Sequence, residues 1–237
     1  MAEKNGNDPW LFNFREAWLR TLALDFAGAR RLCDFIMRPN AEYPTTQPNT
    51  IARVAAGYAE LDRGRYEQAI EYFTQVRDPQ LTPKFFLHWF WRMTAQLGLS
   101  NVGLETRNIT NARLEADGFL ESSLSTDDPH LQALAWELKA RVAMVEKQWR
   151  ASEECVQKAL LILEKFEVPV AAWRVHATAW HFYQNTDDNK TAETHRACAE
   201  ACIVKIASSF LEDEPLRNSF LGAAPVRQVL TQADTRM

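Results

Sequence analysis

Glycine is scarce in this 237-residue chain, at 8 residues, and proline accounts for only 10. With Ala, Leu, Glu and Arg abundant, that scarcity reads as helix. Cysteine is limited to Cys33, Cys155, Cys198 and Cys202, with no CxxC pair. Such spacing excludes a dense disulfide framework and suits reduced, buried thiols. Neither sign of charge dominates: the net charge is −4 and the isoelectric point about 5.8. A broad phosphate-binding face is therefore not expected, nor a direct nucleic-acid partner. Long apolar runs are also missing. The longest, Phe85 to Trp91, is far too short to span a bilayer. Met1 to Pro9 is polar and lacks the apolar core of a signal peptide. These absences point to the cytoplasm and away from membranes. No Gly-Lys dipeptide occurs anywhere, so there is no phosphate-cradling loop of the Gly-rich, Lys-ending kind.

What is present is a repeat. Hydrophobic residues make up 46%, with 8 Trp and 13 Phe, enough for many large buried contacts. The clearest unit runs from Ile51 to Pro79. Apolar and small residues at helical spacing fill Ile51 to Leu61, and Asp62-Arg63-Gly64-Arg65 breaks the helix. Gly64 suits a left-handed helix end. A second helix follows from Tyr66 to Val76, and Asp78-Pro79 stops it. Gly57 and Ala69 are small where the two helices must approach; Tyr66 and Phe73 are large where the pair must fill space.

The same grammar returns after each turn. The small residues Ala29, Ala69, Ala112, Ser152 and Ala192 lie 40, 43, 40 and 40 residues apart. Start signals precede the first helix of each unit: Pro9, Pro48 with Thr50, Thr82-Pro83, Asp128-Pro129 and Pro169. Asp127, Asp128 and Thr82 are candidate caps. The expectation is all-α: a right-handed solenoid of five antiparallel helix pairs, near 10–40, 48–79, 83–125, 129–167 and 169–210. A helical cap over 213–231 closes it. Residues 1–9 are expected to be a disordered polar N-terminus, and 10–231 a single domain.

Gly57…Gly64-x-Tyr66-x-x-Ala69…Phe73…Pro79 resembles the tetratricopeptide repeat. The other units depart from that pattern, with Arg107, Lys147 and Asp187 where a turn Gly is usual and Ser152 where Ala is usual. The period also exceeds the family's typical value of about 34 residues. The longer form resembles the C-terminal helical arms of large bacterial ATP-dependent regulators. These are the LuxR-related maltose-regulator type and the ATPase- and cyclase-linked proteins. The likeness rests on Gln132-Ala133-Leu134-Ala135-Trp136-Glu137-Leu138-Lys139-Ala140-Arg141-Val142-Ala143 and Trp173-Arg174-Val175-His176-Ala177. Glu214-Pro215-Leu216-Arg217…Phe220-Leu221…Ala224-Pro225-Val226-Arg227…Val229-Leu230 adds to it. It spans residues 85 to 230. It implies a regulatory arm that recognises a protein or peptide, a second copy of itself, or a small inducer, without the nucleotide-binding module of the larger proteins.

No catalytic motif emerges. No Ser, Cys or Thr is tied to a base, and the pairs Glu153-Glu154 and Asp187-Asp188 are helix-start charges. His195, Cys198 and Cys202 share a helix face at i, i+3 and i+7, yet lack a fourth ligand; a packed face of small thiols explains them. His176 and His181, five apart, fall on opposing faces. No enzyme activity, cofactor or metal is expected. Two places remain for recognition. The Phe85–Trp91 run covers all faces of a helix and is expected either buried or as an aromatic ridge. The concave face, lined by first helices, nominates Tyr58, Asp62, Asn101, Glu105, Glu137, Arg141, Arg174, His181 and Gln184. There Arg141 and Arg174 suit a peptide carboxylate.

Overall fold

The computed structural model describes residues 9–37, 47–78 and 87–231, with side chains from residue 13 onward. Among them every regular element is a helix: α1 (Pro9–Leu22), α2 (Phe26–Ile36), α3 (Gln47–Asp62), α4 (Tyr66–Arg77), α5 (His88–Glu105), α6 (Ile109–Leu124), α7 (Pro129–Val145), α8 (Trp149–Leu163), α9 (Pro169–Asn185), α10 (Asn189–Ala207), α11 (Pro215–Gly222) and α12 (Ala224–Thr231). The expected stops at Pro79 and the start at Thr82-Pro83 lie outside the described residues. The chain divides into two compact units between Val102 and Gly103, within α5.

One local device ends the first helix of each pair. Leu24, Gly64, Arg107, Lys147 and Asp187 all adopt the left-handed conformation, with φ of 57°, 70°, 57°, 58° and 62°. Each donates its N–H to the carbonyl three residues back, as in Lys147 to Met144 at 2.9 Å. At four of the turns the next residue bonds five back, as Asp25 does to Arg20 and Gln148 to Ala143, both at 2.9 Å or less. Together these bonds are the paired closure of a Schellman helix end, which satisfies carbonyls that the helix leaves open. The residue after the turn then starts the second helix. Asp25, Asn108 and Asp188 cap it with side-chain oxygens; Arg65 and Gln148 do so without a side-chain bond.

In the first unit, α1 to α4 and the leading part of α5 enclose one core that includes Ile36, Ile51, Val54, Phe73, Val76, Trp91 and Leu99. Its centre is the Phe73 ring of α4, fully buried. A Cβ built on Gly57 of α3 would sit 2.6 Å from that ring, and one on Gly98 of α5 would sit 2.4 Å from it. Two glycines thus form the slot that admits an aromatic ring. Tyr58 closes the slot edge-on, with centroids 5.1 Å apart. Trp18 of α1 meets Trp91 and Phe90 of α5 edge-to-face, at 5.0 and 6.3 Å.

The aromatic run is therefore not one continuous helix. Leu87 has φ 64° and precedes α5, which begins only at His88. Trp91 is buried, Phe90 half-buried and Trp89 46% exposed. Phe85 and Phe86 lie outside the described residues.

In the second unit α6, α7, α8, α9 and α10 pack in sequence, and α7 also meets α9 directly. The small residues five positions beyond each turn are buried in both units: Ala29, Ala69, Ala112, Ser152 and Ala192. Ser152 shows why a hydroxyl is tolerated there: its Oγ donates to the Ala140 carbonyl of α7 at 3.1 Å, so the buried group is satisfied. Helix α12 buries Val226 and Val229 and is held by Arg196 of α10, whose Nη1 donates to the Val229 carbonyl at 3.1 Å. Glu193 and Glu200 neutralise that buried guanidinium at 2.7 and 3.0 Å. No helix among the described residues is long and apolar enough to cross a membrane.

Candidate functional site

The contact between α7 and α9 in the second unit brings polar side chains together from residues 44 or fewer positions apart. Asp128 opens α7 by accepting the N–H groups of His130 and Leu131 at 2.9 and 3.2 Å, with Pro129 at the first helical position. Pro129 lacks the N–H that would go unused there. Pro169 opens α9 in the same way. From those fixed starts, His130, Glu137 and Arg141 follow along one stripe of α7, and Arg174, Thr178 and His181 along one stripe of α9.

At the middle of the contact lies Glu137, only 5% exposed. The Thr178 hydroxyl donates to its Oε1 at 2.7 Å, and Arg141 Nε lies 3.7 Å from the same oxygen. A carboxylate so buried is retained only because it is bonded and faces a cation. At the far end His181 stacks on Trp180 with 4.4 Å between centroids and is hydrogen-bonded to Gln184. Burial lowers its pKa, the Gln184 bond opposes that, and the neighbouring Arg141 charge lowers it further. At the near end are His130 and Arg174, whose guanidinium stands over the Trp173 ring at 5.3 Å. Burial lowers the His130 pKa, Asp128 opposes and Arg174 adds to the lowering. The face thus carries a bonded carboxylate, Glu137, with Arg141 on α7 and Thr178 on α9 as its partners.

Of the nine nominated residues, the structure joins Glu137, Arg141, His181 and Gln184 in one cluster, with Arg174 on the same face. Glu137 is buried rather than solvated, because it serves Thr178 as well as Arg141. Glu105 is the exposed last residue of α5, in the second unit. Tyr58, Asp62 and Asn101 belong to the first unit. There the Tyr58 hydroxyl donates to the Thr94 carbonyl at 3.0 Å, Asp62 is exposed at the end of α3 and Asn101 half-buried on α5. Burial raises the Asp62 pKa, against the opposing charge of Arg63. Thr178 and His130 were not nominated. Their signal was available: each falls on the stripe through Arg174 and His181 or through Glu137 and Arg141.

Histidines pair elsewhere too. His176 of α9 and His195 of α10 meet with Nδ1 atoms 3.1 Å apart, and the Tyr183 ring lies parallel to His195 at 5.4 Å. One Nδ1 carries the proton and donates to the other. Burial and the facing His195 push the His176 pKa down to about 4, and burial lowers that of His195. The 5.3 Å between ring centroids is the nitrogen separation plus about one ring radius on each side, so the nitrogens face each other head-on. A metal on that line needs about 4 Å between them at Zn–N lengths of about 2.0–2.1 Å. Among the described residues no group of three or more His, Cys, Asp or Glu is placed to hold a metal ion. Cys198 and Cys202 remain half-buried thiols one turn apart on α10.

The chain matches no family model and no curated protein.

Proposed function

We propose that this protein is a non-catalytic, tetratricopeptide-like interaction module: a cytoplasmic solenoid of five helix pairs that engages a protein or peptide partner through its first helices. The observation that carries the reading is the recurring turn. Left-handed residues at 24, 64, 107, 147 and 187 are each followed, five positions on, by a small buried residue. Repeated hairpins of this kind cannot bury their apolar faces singly and stack on their neighbours. Stacked first helices leave a row of side chains for a partner, and α7 with α9 supplies the charged part of that row.

The test is retention of a partner from the native cytoplasm on the immobilised chain. The double variant Arg141→Glu, Arg174→Glu is compared with Arg150→Glu on α8, where the side chain is 93% exposed. A partner lost by the double variant and kept by Arg150→Glu supports the reading. A partner kept by both removes the α7–α9 face from it.

A further inference from the structure

We propose that the contact of His176 with His195 is a proton-operated latch between α9 and α10: it holds while one of the two rings keeps a bare Nδ1, and it releases the leading half of α10 once both rings are charged. Three rings from two helices build it. The Nδ1 atoms of His176 and His195 are 3.1 Å apart, a normal hydrogen-bond length, so one must donate and the other must be bare. His195 also lies parallel to the Tyr183 ring, with 5.4 Å between centroids and 9° between planes. His176 and Tyr183 stand seven residues apart on α9, about 10.5 Å along the helix, so one α10 side chain engages two successive steps of its partner. The Tyr183 hydroxyl in turn accepts from Gln157 of α8 at 2.9 Å.

The two added protons act differently. The first goes to Nε2 of the ring that already donates; its Nδ1–H stays on the bare nitrogen of the other ring, and the bond becomes charge-assisted. The second takes the bare Nδ1 itself. Two N–H groups then face each other, each on a cation, and the acceptor is gone. The carboxylates of the surrounding elements are engaged elsewhere. Glu137 of α7 is bonded to Thr178, Glu153 of α8 and Asp188 before α10 bear on Tyr183, and Glu193 and Glu200 of α10 hold Arg196. Among the described residues no ion pair joins either imidazole to these groups or to α11 and α12.

Opening brings both rings to water, so the open form binds protons first. Burial and the facing His195 push the His176 pKa from 6.5 down to about 4, and burial lowers that of His195. The closed contact is therefore at full strength above about pH 6.5 and weakens as pH falls. With those two values for His176, that ring alone favours opening about tenfold more at pH 5.5 than at pH 7.5, and about thirtyfold more at pH 5.0. Carboxylates of ordinary pKa stay largely ionised over that range. Ile203 and Ala207 are buried two turns and more beyond His195, so the opening is local and confined to residues 189–199.

The test is amide hydrogen exchange on the full chain at pH 7.5, 5.5 and 5.0, corrected for the intrinsic pH dependence of exchange. Helix α4, which contains no histidine, is the reference. Residues 189–199 are expected to lose protection about tenfold by pH 5.5 and about thirtyfold by pH 5.0, while α4 keeps its own. His176→Asn and His195→Asn are each expected to reduce that acid response, and the double variant, in which neither ring can be charged, to remove it. Melting curves at pH 7.5 identify any variant that fails to fold. Nitrogen NMR of the imidazoles in the wild-type chain then carries the test. At pH 7.5 one ring is expected to hold its proton on Nδ1 and the other on Nε2, and both become fully charged only where residues 189–199 lose protection. Unchanged protection of 189–199 at pH 5.0 overturns the latch, as does an acid response kept in full by the double variant. So does a wild-type chain in which both rings are fully charged while residues 189–199 stay protected.

Discussion

Replacing Gly98 by alanine sets two effects of opposite sign against each other. In a helix interior Ala is favoured over Gly by about 0.8–1 kcal/mol, so propensity alone makes Gly98→Ala stabilising. The slot around Phe73 opposes it. The new Cβ would lie 2.4 Å from Cζ of Phe73 and 2.6 Å from both Cε atoms, where carbons in contact prefer about 3.5–4.0 Å. The ring must move by about 1 Å, and it has little room: Phe73 is fully buried, with Gly57 also against the ring and Tyr58 edge-on. Overpacking of this kind costs about 1–3 kcal/mol or more. The net expectation is a loss of about 1–2 kcal/mol, read by urea unfolding followed by circular dichroism, with the denaturant slope unchanged. Phe73→Leu in the Gly98→Ala background should recover part of the loss. The double-mutant cycle then yields a coupling of about 1 kcal/mol or more in favour of the pair. Gly222→Ala is the comparison, because a Cβ there meets nothing within 4 Å. A Gly98→Ala protein as stable as Gly222→Ala, or a cycle with no coupling, refutes the slot.

Three further outcomes follow from single features. Lys147 holds a left-handed φ of 58°, which costs a non-glycine residue roughly 1–2 kcal/mol; Lys147→Gly should therefore stabilise by up to about 1 kcal/mol once the greater freedom of the unfolded glycine is subtracted, and a fall in melting temperature counts against the turn geometry. Because His176 has its pKa lowered in the folded state, from 6.5 to about 4, the unfolded chain binds the proton first. The contribution is full above about pH 6.5 and lost as pH falls toward 4, at about 1.4 kcal/mol per pH unit; His176→Gln should flatten that acid limb in pH-dependent melts. Arg196→Met removes the donor to the Val229 carbonyl and leaves Glu193 and Glu200 without their partner. Hydrogen exchange in α12 should accelerate while α7 stays protected, and uniform protection refutes Arg196 as the tether.

The helices and their joins were legible in the chain because their causes are local. Pro129 with Asp128, Pro169 and Gly64 act within a few residues of themselves, and a hydrogen bond to the carbonyl three residues back closes each turn. The spacing of Ala29, Ala69, Ala112, Ser152 and Ala192 was readable for the same reason, and all five are buried. Ends were less legible: α8 stops at Leu163 and α10 at Ala207, a few residues short of the bounds at 167 and 210 that the spacing suggested. The aromatic run misled most. A string of large apolar residues reads as one helix, but Leu87 takes a left-handed φ that hydrophobicity does not report.

The site divides along the same line. Sequence spacing was enough to place Glu137 with Arg141, and Arg174 with His181, on shared stripes, because residues three, four and seven apart on a helix must share a face. Which of those residues would be buried, and against what, depended on partners far away in the chain. Glu137 is bonded to Thr178, 41 residues on, and His176 to His195, 19 residues on, in place of the thiols that share a helix with His195. Gly98 admits a ring from Phe73, 25 residues before it. The chain by itself determined where helices begin, turn and repeat, since those choices are made by neighbours a few bonds apart. Only tertiary structure decided which charges are neutralised, which histidines share a proton and which glycines make room, because each depends on how separate helices are brought side by side.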